Sequence, residues 1–150
     1  MVIFAIMIYM TKAIRLHSSG GVVVRGGEVL LITWKTKDST EFPKGTIEPG
    51  ELSVAACIRE VYEETGYRTR VIDSLGSTEF EYIDERDGRN YHKTVDYYLL
   101  ELIDETIKPG PDRQKGEDFD NLWVSIDDAG RILTFDDARV VLARAVAHCI

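Results

Sequence analysis

Three glutamates, Glu60, Glu63 and Glu64, occupy neighbouring positions in a segment whose apolar residues recur at three- and four-residue intervals. At ~100° per residue in an α-helix, their side chains fall within an arc of about 100° and can reach a common point. The like charges of Glu60 and Glu64 repel each other unless a cation lies between them. Mg²⁺ prefers oxygen ligands and bridges to substrate phosphates, so the spacing indicates a magnesium site. The alternative is an acidic helix face that is only solvated.

The stretch before these glutamates, residues 42–51, reads FPKGTIEPGE. Its two glycines and two prolines exclude a regular element. Gly45 and Gly50 let backbone carbonyls and amides approach a ligand closely, and the N-terminus of the following helix favours a phosphate group. We therefore expect a phosphate-binding loop that leads into the glutamate helix.

That helix is predicted to span Ser53–Thr65, and Gly66 ends it in a C′ position. One of its faces is apolar and is expected to pack on the core. This face comprises Val54, Ile58, Val61, Tyr62 and Thr65. The three glutamates lie on the opposite side of a regular helix, so the core and the carboxylates are expected to use different faces.

Residues 45–67 read GTIEPGELSVAACIREVYEETGY. They match the signature of the Nudix hydrolase family in full, namely Gly, five residues, Glu, seven residues, then Arg-Glu-apolar-x-Glu-Glu-x-Gly-apolar. Tyr67 fills the last position, which is more often aliphatic. On this motif the chain is identified as a member of that family, similar to MutT. The resemblance implies an α+β fold, a mixed α/β/α sandwich with a mixed β-sheet between helices.

The resemblance also implies roles for individual residues. Glu60, Glu63 and Glu64 would hold one or more Mg²⁺ ions, with Mn²⁺ as a substitute, and the backbone carbonyl of Gly45 is a further expected ligand. The catalytic set consists of the same glutamates and Arg59. Members of the family differ in which glutamate is the general base, and we assign this role to Glu60, because a metal-bound carboxylate can alternate between ligand and base.

Two more carboxylates receive roles from the resemblance. Glu51 is expected to pair with Arg59 and to orient the loop on the helix, which is a structural role. Glu117 is the candidate for an extra metal ligand from a late loop, and Asp118 and Asp120 are its rivals. A solvated acidic loop is an equal interpretation of that segment.

Residues outside the motif resemble the diadenosine-polyphosphate hydrolase branch of the family. The matching segments are FPKG at 42–45, KTVDYYLLEL at 93–102 and LWVSIDDA at 122–129. By this resemblance Lys44 contacts a substrate phosphate and Tyr82 stacks on an adenine, although a surface lysine and a core tyrosine are the ordinary alternatives. Thr46 departs from the histidine that many members of this branch carry after Pro-Lys-Gly.

The resemblance implies Mg²⁺-dependent hydrolysis of a diphosphate linkage in a nucleotide. The leading substrate is a dinucleoside polyphosphate such as diadenosine tetraphosphate. The alternative enzyme is a nucleoside triphosphate pyrophosphatase that sanitises the nucleotide pool. A non-catalytic nucleotide sensor is a third interpretation, but such domains typically lack one or more metal glutamates, and all are present here.

Composition sets the wider limits. The 150 residues contain no repeat or linker, so one domain over 1–150 is expected. The formal charge of −8, from 18 Lys+Arg against 26 Asp+Glu, argues against binding of nucleic acid or an anionic membrane. Cys57 and Cys149 fit no zinc spacing, and as reduced thiols they favour a cytoplasmic protein. A monomer and a homodimer are both compatible with this sequence.

The elements that position the candidate residues are predicted from turns and periodicity. Hairpins are expected around Gly26-Gly27 and around Asp87-Gly88, where β-rich runs flank each turn. The other predicted elements are strands at 67–84, 92–102 and 122–126, a loop at 103–120, and helices at 127–131 and 136–148. The sheet is expected to be mostly antiparallel and covered by helices.

The first ten residues, MVIFAIMIYM, are strongly apolar but shorter than the ~20 residues of a transmembrane helix. Two interpretations of residues 1–12 stay open. They form an extra edge strand, or residues 1–9 are a non-native extension that precedes a true start at Met10.

Overall fold

The computed structural model describes residues 12–108 and 118–149. The expectations for the apolar N-terminal segment and for Glu117 fall outside these ranges. The strands are β1 (Ile14–Arg25), β2 (Glu28–Trp34), β3 (Ser39–Glu41), β4 (Lys44–Thr46), β5 (Tyr67–Ile83), β6 (Asn90–Ile107) and β7 (Phe119–Ser125). The helices are α1 (Ser53–Thr65), α2 (Ile126–Ile132) and α3 (Asp136–Cys149).

The strands form one seven-stranded sheet with the order β3-β2-β1-β6-β5, while β4 pairs with β1 and β7 pairs with β2. β1 and β6 run parallel, whereas the other pairs are antiparallel. A parallel pair needs a crossover connection, and α1 lies on that connection. The mixed sheet between helices confirms the predicted fold class.

Helices cover both faces of the sheet. On one face α1 packs on a cluster that includes Val23 and Leu100. On the other face, residues of α2 and α3 pack on a cluster that includes Val22 and Leu99. Consecutive residues of a strand alternate between the two clusters, as the two-residue period of a strand requires. Within the described ranges, no helix is long and apolar enough to cross a bilayer.

Both predicted hairpins are present. Gly26 and Gly27 have φ angles of +51° and +81°, which a two-residue hairpin turn between β1 and β2 favours. In the second hairpin Gly88 has a φ angle of +68°, and Ile83 of β5 lies opposite Asn90 of β6.

Two predicted irregular segments contain strands. The predicted loop at 103–120 is wrong at both ends, because β6 continues to Ile107 and β7 begins at Phe119. The end of β6 is exposed, and its polar sequence reflects solvent contact rather than a loop. The stretch 42–51 contains the short strand β4, whose residues Lys44–Thr46 pair with Ser18–Gly20 of β1.

Helix α1 has the predicted bounds and ends at Gly66, whose φ angle is +81°. Its buried face differs from the prediction. Ile58 is 37% exposed, whereas Glu64 is only 7% exposed. The buried residues are Ala56, Cys57, Val61, Glu64 and Thr65.

The rotation of α1 has its cause in the strand beneath it. A Cβ atom on Gly21 would lie 2.4 Å from Leu100 and 3.2 Å from the Cys57 sulfur, so the helix approaches β1 closely at a glycine. The Cys57 thiol donates a hydrogen bond to the Gly20 carbonyl at 3.1 Å, and burial raises the pKa of Cys57 to about 12. The small residues Ala56 and Cys57 therefore face the sheet. Glu60 and Glu63 flank the buried face instead of opposing it, and Glu64 is part of that face.

Candidate active site

Strand β4 brings Gly45 against the carboxylate of Glu60. Gly45 lies opposite Ser19 in the β1–β4 pair. A Cβ atom on Gly45 would stand 2.1 Å from the Glu60 carboxylate, so a larger residue would displace that side chain. Two of the predicted metal ligands are thus in direct proximity, and the proximity depends on glycine.

Arg59 joins the glycine loop to the helix. Its Nε and Nη2 atoms donate to the two Glu51 oxygens at 2.8 and 2.9 Å, and Nη2 also donates to the Thr46 carbonyl at 3.0 Å. Such two-pronged pairing is the strong form of an arginine–carboxylate contact. The Arg59 hydrogen bonds, followed by the backbone amide of Glu48, lower the pKa of Glu51 to about 2. The predicted Glu51–Arg59 pair is therefore formed, with the loop attached to it.

The same guanidinium also contacts two of the three helix glutamates. Its Nη1 atom donates to Glu60 at 2.8 Å and to Glu63 at 3.1 Å. Hydrogen bonding to Glu51 and then to Glu60 holds the pKa of Arg59 above its usual range. Across residues 12–108 and 118–149, no three His, Cys, Asp or Glu side chains already converge as a metal-binding group. Arg59 bonds one oxygen of each of these two carboxylates, and a carboxylate has a second oxygen that can bind a cation while the arginine stays in place.

The N-terminus of α1 has an anionic neighbour from the sheet. The helix follows Leu52, which provides no side-chain cap, and its first turn contains no acidic residue. The Ser53 hydroxyl instead donates to the Asp96 carboxylate at 2.6 Å. A carboxylate of the protein therefore lies beside the first turn of α1, at the end of the helix where the sequence predicts a substrate phosphate.

A cavity of about 750 Å³ opens on the opposite face of the sheet, next to the N-terminus of α3. Its walls combine lysines with aromatic rings, and they also carry three carboxylates. The lysines are Lys37, Lys44 and Lys93, the aromatic residues are Phe42, Phe80, Tyr97 and Phe135, and the acids are Glu41, Asp136 and Asp137. A cavity with apolar rings and cationic groups suits a ligand that has both an aromatic and an anionic part.

Lys44 links the cavity to the glutamates. Its side chain lines the cavity and is 23% exposed, and its Nζ atom donates to Glu41 at 3.4 Å. The next residue, Gly45, faces Glu60 on the other side of the sheet. Two adjacent residues of β4 therefore reach the cavity and the carboxylates.

Lys93 is a cavity residue that the sequence did not single out. It precedes Val95, Tyr97 and Leu99 at two-residue intervals, and those three residues are buried. Burial, and then the nearby charge of Lys44, lower the pKa of Lys93. The available signal was a lysine at a position of β6 where the strand alternation calls for an inward-facing residue.

Tyr82 lies beside the cavity, and it is not one of the residues that line it. Its ring stacks on Tyr91 with centroids 5.4 Å apart and an interplanar angle of 16°. The Phe80 ring lies 5.8 Å from Tyr82, and Phe80 does line the cavity. The three rings form an aromatic row that continues from the cavity toward the β5–β6 turn.

Comparisons with known proteins agree with this architecture. The family model for the NUDIX domain matches residues 15–145. The putative mutator protein MutT4 of Mycobacterium tuberculosis is 45% identical over 71 residues, which are 44% of this chain and 28% of that protein. The asymmetrical bis(5'-nucleosyl)-tetraphosphatase of Rattus norvegicus is 29% identical over 102 residues, 67% of this chain and 65% of that protein.

Among solved structures, a binary complex of a C. elegans Ap4A hydrolase superposes with a TM-score of 0.69. It is 22% identical, and the match covers 89% of this chain and 97% of that one, so this likeness concerns the fold. The comparisons confirm the resemblance inferred from the sequence. The chain spans less than two thirds of the length of the two curated relatives.

Proposed function

This chain belongs to the NUDIX family, and from that premise we propose that it hydrolyses a diphosphate linkage in a nucleotide, with a dinucleoside polyphosphate such as diadenosine tetraphosphate as substrate. The observation that carries the proposal is the position of β4. Lys44 faces the cavity while Gly45 lies against Glu60. Among the described strands β4 is short and pairs with β1 off the main path of the sheet, so a nucleotide in the cavity would extend its phosphates around β4, past Lys44, to the glutamates on the other face.

The residues around Gly45 fit a divalent cation. Glu60, Glu63 and Glu64 offer the oxygen donors that Mg²⁺ prefers, and Mn²⁺ accepts the same donors. We assign these carboxylates and the Gly45 carbonyl as the ligands, and Glu117 as a further candidate ligand. When bound, the cation would neutralise negative charge on the diphosphate and lower the pKa of a water molecule.

The remaining chemistry falls to the protein side chains. Glu60 takes a proton from a water molecule while the oxygen of that water bonds to one phosphorus. The bond between this phosphorus and the bridging oxygen breaks, and the bridging oxygen leaves with the other phosphate. Arg59 holds Glu60 and Glu63 through one nitrogen while it anchors the loop through Glu51. Arg59 therefore controls where the base stands relative to Gly45.

The cavity and its aromatic row support the choice of a dinucleoside substrate. Lys44 and Lys93 are the cations that would bind the inner phosphates of the polyphosphate chain. One base would enter the cavity between its aromatic walls. The second base would stack on the row formed by Tyr82 and Tyr91, since every base offers a π-face for stacking.

The decisive experiment is a hydrolysis panel in Mg²⁺ with diadenosine tetraphosphate, nucleoside triphosphates and ADP-ribose. We expect the highest kcat/KM for diadenosine tetraphosphate, and we expect its hydrolysis to give two mononucleotides. If the preferred reaction were release of pyrophosphate from nucleoside triphosphates, the protein would instead be a nucleoside triphosphate pyrophosphatase that sanitises the nucleotide pool. An absence of turnover by folded protein would refute the enzyme assignment.

Glu60→Gln tests the assignment of the base. Loss of a general base is expected to lower kcat by about 10²- to 10⁴-fold. The matched control is Glu101→Gln, which removes an exposed carboxylate that pairs with Arg70. A rate near that of the unmodified protein in Glu60→Gln would exclude Glu60 as the base.

We also propose a cytoplasmic location. Cys57 and Cys149 are both free thiols, and free thiols are typical of a reducing compartment. The substrate is a small nucleotide, and the net charge of −8 is unfavourable for a nucleic-acid partner.

A further inference from the structure

A polar cluster lies where α1 meets the sheet, and no step proposed above uses it. We call it the serine–aspartate cluster, and it comprises Ser19, Ser53, Ser77 and Asp96. The Asp96 carboxylate accepts hydrogen bonds from Ser53 and Ser77, both at 2.6 Å, and contacts the His17 ring at 2.8 Å. Asp96 therefore joins β6 to α1, β5 and β1 at one point.

The cluster is adjacent to the strand that carries Gly45. Ser19 of β1 is the register partner of Asp96 in the parallel β1–β6 pair and of Gly45 in the β1–β4 pair. The Ser19 hydroxyl donates to the Ser53 carbonyl at 2.7 Å. The first turn of α1 is thus attached to β1 through Ser19 and to β6 through Asp96.

This attachment replaces a local helix cap. Leu52 has no hydrogen-bonding side chain at the cap position, so the orientation of α1 depends on contacts from the sheet. Hydrogen bonds to an ionised carboxylate are shorter and stronger than those between neutral groups. Burial acts to raise the pKa of Asp96, but the hydrogen bonds from Ser53, Ser77 and His17 outweigh it, and the pKa is lowered. Asp96 is therefore a charged anchor at neutral pH.

We propose that Asp96 is a positioning residue that acts through Ser53, fixing α1 against β1 so that Glu60 stays beside Gly45. The inference rests on the proposed metal site. A Cβ atom on Gly45 would stand only 2.1 Å from the Glu60 carboxylate, so the helix and β4 are already at close approach. A small shift of the first helical turn would alter this distance, and metal ligation is sensitive to such shifts.

The chain offers a matched pair of variants for the test. Ser53→Ala and Ser77→Ala each remove one hydroxyl that donates to Asp96 at 2.6 Å, but only Ser53 belongs to α1. The readouts are the Mn²⁺ dissociation constant from paramagnetic resonance, kcat and KM, and the Tm of the metal-free protein. The Tm reports a general loss of stability, which both variants share.

For Ser53→Ala we expect weaker Mn²⁺ binding and lower kcat, each by about 3- to 10-fold, with little change in KM. This is less than the ~10- to 100-fold loss that follows removal of a direct partner of a metal ligand. Ser77→Ala is expected to keep the Mn²⁺ affinity and kcat of the unmodified protein, although its Tm falls. Equal effects of the two variants on Mn²⁺ affinity, or no effect of either, would overturn the proposal.

Asp96→Asn and Asp96→Ala supply a second, independent comparison. The asparagine carbonyl oxygen can still accept from Ser53, so Asp96→Asn is expected to recover most of the Mn²⁺ affinity that Asp96→Ala loses. Equal losses in both would contradict positioning through Ser53. If the unmodified protein bound no Mn²⁺, the proposed metal site itself would fail. Normal binding that Ser53→Ala leaves unchanged would refute the positioning role alone.

Discussion

The two faces of the sheet at β4 differ in the origin of their functional residues. On the α1 face, Gly45, Glu51, Arg59 and Glu60 come from one continuous segment. Arg59 is already hydrogen-bonded to Glu51 and Glu60, and Gly45 lies against Glu60. On the cavity face, the lining residues come from β3, β4, β5, β6 and α3. The difference indicates that the chemistry depends on a local motif, whereas recognition of the substrate depends on how distant elements assemble. Variants of the first face are expected to change kcat, and variants of the second to change KM.

On the α1 face, a large effect comparable to that of Glu60→Gln is expected from Gly45→Ala. The added methyl group would meet the Glu60 carboxylate at 2.1 Å and displace it. We expect a fall in kcat of at least about 10²-fold, since misplacement of a catalytic group by ~1 Å can cost that much. Gly130→Ala is the control, because the nearest atom to its new Cβ is 3.8 Å away. Steady-state kinetics would contradict the assignment if KM alone changed.

Lys93→Met probes the cavity face. The substitution keeps much of the side-chain volume and removes the charge that would bind phosphate. We expect KM for diadenosine tetraphosphate to rise by about 10- to 100-fold with kcat nearly unchanged, because hydrogen bonds to charged groups contribute ~1.5–3 kcal/mol. Lys35→Met, at an exposed lysine that pairs with Asp118 and Asp120, is the control. A fall in kcat at constant KM would contradict the proposal that the cavity face binds the substrate and the α1 face carries out the chemistry.

Tyr82→Leu tests how far recognition extends beyond the cavity. Loss of stacking on Tyr91 and on a second base is expected to lower kcat/KM for diadenosine tetraphosphate by about 5- to 10-fold. This corresponds to ~1–1.4 kcal/mol, the lower end of the ~1–3 kcal/mol per stacked base. The value for ATP is expected to stay the same, because ATP has no second base. An equal fall in kcat/KM for both substrates would mean that Tyr82 only stabilises β5 and does not bind a second base.

The smallest expected effect concerns stability in acid. The folded protein holds the pKa of Glu51 at about 2, against an ordinary value of 4.5. Its ion pair with Arg59 therefore stabilises the fold fully above pH 4.5, and this contribution is lost as pH falls toward 2. Glu51→Gln is expected to flatten the decline of the free energy of unfolding across that range in urea titrations. An unchanged slope would mean that the pair does not persist in solution.

The motif face was largely predictable, because its residues are close in sequence and helical geometry relates them. The bounds of α1 follow from the periodicity and the glycine at its end, and the Glu51–Arg59 pair follows from the family motif at 45–67. The rotation of α1 could not be predicted in the same way. It depends on the close approach of Cys57 to Gly20 and Gly21, which lie on a distant strand.

The cavity face was predictable only in part. Lys44 was found because it adjoins the motif, whereas Lys93 and Phe135 become neighbours only when β6 and α3 pack together. Asp96 is another example, because its partners Ser53 and His17 are 43 and 79 residues away in sequence. Spacing along the chain contains no information on such contacts until the strand register is known.

The shortness of β4 places a limit on how this protein can change. Lys44 and Gly45 point to opposite faces because successive residues of a strand alternate, and a one-residue slip would exchange them. A one-residue insertion or deletion that shifts the register of β4 would therefore direct a lysine at the carboxylates and remove a cation from the cavity in a single step. The residue that reaches the cavity and the residue that faces the carboxylates are consecutive in the chain, so their spacing is fixed by one peptide bond.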